Sequence, residues 1–169
     1  QEILTDPSYA GQIVIATYPL IGNYGINDAS VESRRIQVAG YVVREQSTTP
    51  SHYGSTSTVH DYLTAQGVPG IYGVDTRAVT RRIRTHGAMM GCLTSEMGPE
   101  EAIERLRKAP RYVDLDYVAS VTTRESYAWD SGGQSDTPAP GSPHIVVTDC
   151  GLKYNILRNL KARGCVVTV

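Results

Sequence analysis

A thiolate nucleophile needs a tight strand-to-helix turn, framed as G-x-C-x-G, and a histidine close enough to take its proton. Of the three cysteines, Cys92 follows Gly91 in an extended run, Cys150 has Thr148 two residues before it, and Cys165 has Arg163. None has the frame, and all three read as small buried apolar residues. The run Ile21 to Asp28 holds Gly22 and Gly25, whose freedom at positive φ would let backbone amides approach a phosphate. It lacks both the GxGxxG and the GxxxxGK[ST] spacing, so a plain structural loop is the better account of it. Arg77, Arg81 and Arg84 recur at helical spacing and would line up three guanidinium groups, either as a solvated face or as a surface for an anion or acidic partner. His52, His60, His86 and His144 have no metal-ligand spacing, and no metal site is expected. Asp6-Pro7-Ser8-Tyr9 reads locally as a turn, since a residue before proline is extended and Ser8 can bond backbone groups.

These residues sit on a mixed pattern of short elements. Gln12 to Tyr18 (QIVIATY) is β-branched and bounded by Gly11 and Pro19, which predicts a strand. Pro19 to Asp28 has loop chemistry. Ile36 to Arg44 alternates well enough for a second strand, with Gly40 as a bulge, and a polar segment, Glu45 to Ser57, follows. Thr58 and Asp61 have capping-box spacing ahead of Val59 and Leu63, so a short helix is expected to end at Gly67. Asp75 should cap a second helix that buries Val79 and Ile83 and closes at Gly87. Gly91 to Thr94 reads as a short strand. Pro99 suits the first position of a helix through Lys108, with Ile103 and Leu106 inward and acidic residues leading basic ones.

Between Asp130 and Pro143 the run DSGGQSDTPAPGSP has no large apolar residue and reads as a linker. Beyond it, Ile145 to Thr148 predicts a strand, Leu152 to Arg163 a helix with Ile156, Leu157 and Leu160 inward, and Val166 to Val169 another strand. Strand, helix, strand at this spacing is a βαβ unit of a parallel sheet. The expected organisation is a first domain over 1–129, a linker over 130–143 and the start of a second α/β domain over 144–169. Beginning at Gln1 and stopping inside an apolar run, the sequence is expected to be a piece of a longer polypeptide.

Composition narrows the functional classes. The 169 residues are 40% apolar and 20% charged, which is globular material, and 16 Lys plus Arg against 17 Asp plus Glu leave a formal net charge of -1. That balance argues against a dedicated nucleic-acid or anionic-membrane binder. No apolar run approaches a membrane span, and the odd cysteine count suits a reducing cytoplasm.

Taken in order, QEILTDPSY (Gln1 to Tyr9), YPLIGNYGIND (Tyr18 to Asp28), GVDTRAVTRRIRTHGAMMG (Gly73 to Gly91) and DCGLKYNILRNLKARGC (Asp149 to Cys165) resemble the carbamoyl-phosphate synthetase small subunit. Cys150 departs from the pattern, where an aromatic residue is often expected. The resemblance implies an α/β fold: an N-terminal swivelling-type β/β/α domain, then the first βαβ unit of a flavodoxin-like class I glutamine amidotransferase domain. It implies glutamine hydrolysis and delivery of ammonia to a large subunit, which makes carbamoyl phosphate for pyrimidine and arginine synthesis. The partners implied are that large subunit and L-glutamine, with no nucleic acid and no membrane. ATP and Mg are expected on the large subunit and no cofactor on this chain. The catalytic Cys, His and Glu are expected beyond Val169, leaving this piece inactive alone. The serine of the L-T-D-P-S motif, here Ser8, is implied to bind glutamine. The alternative is a non-catalytic scaffold or interaction module without a working amidotransferase site.

Overall fold

The computed structural model describes residues 1–129 and 140–169. It is a mixed α/β chain with small parallel sheets, and its contacts divide it into two compact units, Gln1–Asp116 and Tyr117–Val169.

The first unit opens with a single helical turn, α1 (Glu2–Thr5), followed by a 3-10 turn over Pro7–Tyr9. Its main sheet is built from β1 (Ile13–Ile15), β3 (Gly40–Val42) and β5 (Gly70–Ile71) in the order β1-β3-β5, all parallel. A smaller parallel pair joins β2 (Leu20–Ile21) to β4 (Glu45–Gln46). Parallel strands need crossover connections, and α2 (Val59–Ala65) lies in the one between β3 and β5. Thr58 caps α2 by accepting the Asp61 N–H at 3.1 Å, and its hydroxyl donates to the Asp61 carboxylate at 2.7 Å. The apolar residues meet in one core of Leu4, Ile26, Ile36, Val38, Tyr41, Val43, Val59 and Leu63. Full burial of a side chain such as Leu63 contributes up to about 1.5–3 kcal/mol. Next come α3 (Thr76–His86), capped by the Asp75 carboxylate on the Ala78 N–H at 2.9 Å, and α4 (Pro99–Lys108).

The second unit contains α5 (Tyr117–Val121), β6 (His144–Val146), α6 (Tyr154–Ala162) and β7 (Val166–Thr168). β6 and β7 pair in parallel, His144 opposite Val166, with α6 between them in the chain. The outer side of β7 is covered by Tyr127–Trp129: Tyr127 and Val169 exchange two backbone hydrogen bonds at 2.9 Å, and Trp129 N–H donates to Val167 O at 2.9 Å. Leu157, Val167 and Val169 form this unit's core, packed by Tyr127, Trp129 and Leu160 among others. The stretch Tyr117–Trp129, which the sequence groups with the first domain, thus packs within the second unit. Most of the expected linker, 130–143, falls outside the described residues.

Several expectations need correction. Gly40 is no bulge; it pairs in regular register with Ile13, and a Cβ there would come within 3.3 Å of the Leu93 side chain and 3.4 Å of Pro69 O, so close packing explains the glycine. Gly91 to Thr94 forms no strand, because the β1-β3-β5 ladder does not extend to it. The loop 19–28 and the polar segment 45–57 each contribute a two-residue strand, β2 and β4. Ile103 and Ile156 are about half exposed, at 50% and 49%: their helices turn Leu106 and Leu157 further inward, and among the described residues no layer covers the isoleucines.

Candidate functional site

Ser8 lies on the 3-10 turn between α1 and β1, and its position follows from its neighbours. Asp6 must be extended before Pro7, and is, at φ -71° and ψ 119°. Pro7 begins the turn, where its missing N–H leaves nothing unsatisfied. The Asp6 carboxylate accepts the Ser8 N–H at 2.9 Å, Tyr9 N–H donates to Asp6 O at 3.0 Å, and the Gln12 side-chain amide donates to Ser8 O at 3.0 Å. Leu4, Thr5, Asp6 and Pro7 are buried, whereas Ser8 is exposed. Both its backbone groups are engaged, yet among the described residues its hydroxyl has no hydrogen-bond partner. Its hydroxyl therefore keeps one donor and its acceptor capacity toward the exterior. Among the described residues no base is hydrogen-bonded to it.

A second polar cluster lies beneath the turn. Thr5 is fully buried; its hydroxyl accepts the Glu32 N–H at 2.8 Å and its carbonyl accepts the Ser33 hydroxyl at 2.5 Å. Gln37 donates its side-chain amide to Ser33 Oγ at 2.9 Å and its N–H to Leu4 O at 2.8 Å. Sequence reasoning missed Glu32, Ser33 and Gln37, because their partners lie far away in the chain and E-S-R-R reads locally as polar loop.

The other candidates are dispersed. Cys92 and Cys150 are exposed and Cys165 is half-buried, which corrects the expectation of buried cysteines: Cys92 lies in a stretch without strand pairing, and Cys150 lies on a turn. At that turn the strain of positive φ is taken by Gly151 (φ 98°), not by Cys150, while Asp149 accepts the N–H groups of Gly151 and Leu152 at 2.9 Å each. In the glycine loop, Gly22 and Gly25 take positive φ, but Gly25 N–H is spent on Gly22 O and Ile26 N–H on Ser57 O. Ser55 fills the space beside Gly25, which leaves a structural loop rather than an open cradle. Arg77, Arg81 and Arg84 are exposed on α3, and none makes an ion pair among the described residues. Among the described residues, no three or more His, Cys, Asp or Glu side chains are grouped to hold a metal ion. A hollow of about 820 Å³ opens between the Gln1–Ile3 turn and the loops bearing Tyr24 and His52, and Ser8 does not line it.

Fold and site together define a mixed α/β protein that holds the exposed Ser8 hydroxyl on a backbone-fixed turn. Residues 1–93 match the family model described as carbamoyl-phosphate synthase small chain, CPSase domain. Across its whole length the chain is similar to proteins named carbamoyl phosphate synthase small chain. It is 49% identical to that of Syntrophotalea carbinolica, 47% to that of Methanopyrus kandleri and 47% to that of Akkermansia muciniphila, covering 47%, 46% and 46% of them. The chain belongs to the carbamoyl-phosphate synthase small chain family. It spans about half the length of the curated relatives it matches.

Proposed function

We propose that this chain is part of the glutamine-hydrolysing small chain of a carbamoyl-phosphate synthase, with Ser8 binding the substrate's α-carboxylate or α-ammonium end. The observation that supports it is the Ser8 turn itself, in a chain of this family: backbone engaged, neighbours buried, hydroxyl free. One oxygen that both donates and accepts suits a zwitterion, and fixing the α-end holds the side-chain amide at a constant place for attack.

In this reading the chemistry is amide hydrolysis. A cysteine thiolate, from the part of the protein these residues do not span, attacks the glutamine side-chain carbon. A histidine protonates the departing ammonia, backbone amides stabilise the oxyanion, and water then releases glutamate from the thioester. The ammonia passes to the large chain, which binds ATP and Mg and makes carbamoyl phosphate. The unit Gln1–Asp116 would correspond to the swivelling-type domain, and the unit Tyr117–Val169 would open a class I amidotransferase domain.

The test is the full-length synthase carrying Ser8→Ala. Glutamine KM is expected to rise on the order of tenfold, the value of one hydrogen bond to a charged group. An unchanged KM overturns the role of Ser8. Absence of glutaminase activity in the unaltered full-length protein overturns the reading in favour of a scaffold.

A further inference from the structure

The bonds within the Ser8 turn fix its shape, yet they do not fix where it stands on the domain. That placement comes from residues 32–37, which bracket the segment Leu4–Gly11 at both ends. Ahead of Ser8, Thr5 O accepts the Ser33 hydroxyl (2.5 Å), Thr5 Oγ1 accepts the Glu32 N–H (2.8 Å) and Leu4 O accepts the Gln37 N–H (2.8 Å). Behind it, Gly11 N–H donates to Gln37 O (3.3 Å). Ser33 is the junction of the bracket: it is buried, its hydroxyl lies 2.5 Å from Thr5 O and 3.0 Å from Arg35 O, and its oxygen accepts the Gln37 side-chain amide.

Resting on the reading of Ser8 as a glutamine contact, we propose that Ser33 is a positioning residue for substrate binding. It holds Thr5 O, and through it the Ser8 hydroxyl, at the place where the α-end of glutamine is received. Ser33 touches no substrate itself; three residues further along from Thr5 the chain presents Ser8. With the Ser33 hydroxyl gone, Thr5 O and the Gln37 amide each lose a buried partner, the turn drifts, and an interaction that depends on fractions of an ångström weakens.

In the full-length small chain assembled with its large chain, Ser33→Ala is expected to raise glutamine KM on the order of tenfold while kcat at saturating glutamine stays within about twofold. Ser33→Thr keeps the hydroxyl and is expected to recover most of that loss. If Ser33→Ala fails to fold, Ser33→Cys replaces the hydroxyl by a weak donor of similar shape and is expected to raise KM likewise, an unchanged KM there overturning the positioning role. An unchanged KM in the folded variant, where Ser8→Ala does raise it, overturns the positioning role. A fall in kcat that tracks the folded fraction at constant KM also overturns it, because that is what a merely structural bond would give. If Ser8→Ala leaves KM unchanged, the reading of Ser8 fails and the positioning role falls with it.

Discussion

The Asp6 carboxylate and the Ser8 hydroxyl have opposite tasks within three residues. Asp6 is buried and caps the Ser8 N–H, so Asp6→Ala is expected to destabilise the protein by at least about 1 kcal/mol, measured by denaturant unfolding. Gly25 carries a second backbone demand. Its φ of 70° is left-handed, and a Cβ would lie 2.0 Å from Ser55 Oγ and 2.8 Å from Pro50 Cβ. Gly25→Ala is therefore expected to cost about 2 kcal/mol or more, read from the same unfolding curves. At this scale the sequence showed what is local. Asp before Pro announced the turn, whereas the role of Ser8 came only from the resemblance. Ser33 was invisible, because the bond that gives it meaning reaches back to Thr5 across 28 positions.

Among the elements, the helices were the legible part. Thr58 and Asp75 cap α2 and α3 as their spacing implied, since a cap is satisfied within three residues of itself. Asp75→Ala is expected to lower stability by about 1 kcal/mol and Asp75→Asn by much less, because both Asp and Asn accept the Ala78 N–H; thermal melts of the two variants side by side decide it. Strands were read less well. Whether Gly91 to Thr94 pairs depends on a ladder elsewhere in the chain, and β2 with β4 exist only because Leu20 and Glu45 meet in three dimensions. Ile103 and Ile156 satisfied a helical period and still face outward, since periodicity names a stripe without naming what covers it.

Over the whole molecule, two separate apolar cores carry the fold, and the larger includes one ionisable group. Burial raises the pKa of the Tyr41 phenol above its ordinary value of 10.0, because the interior disfavours the phenolate. The folded state then holds its proton at a pH where the unfolded chain has begun to lose it. Stability from this residue is intact below about pH 10 and declines as pH rises above that value. Tyr41→Phe is expected to flatten that alkaline decline in unfolding measurements. The division of the chain near Asp116, ahead of the polar run the sequence marks as a linker, has a further consequence. Trp129 and His144 flank that run, and both belong to the sheet built on β7. A protease cut between residues 130 and 139 would thus leave two pieces that each contribute to one sheet, through Tyr127–Trp129 and through β6 and β7. The nicked protein is expected to elute as a single species under native conditions and to separate into two bands only once denatured.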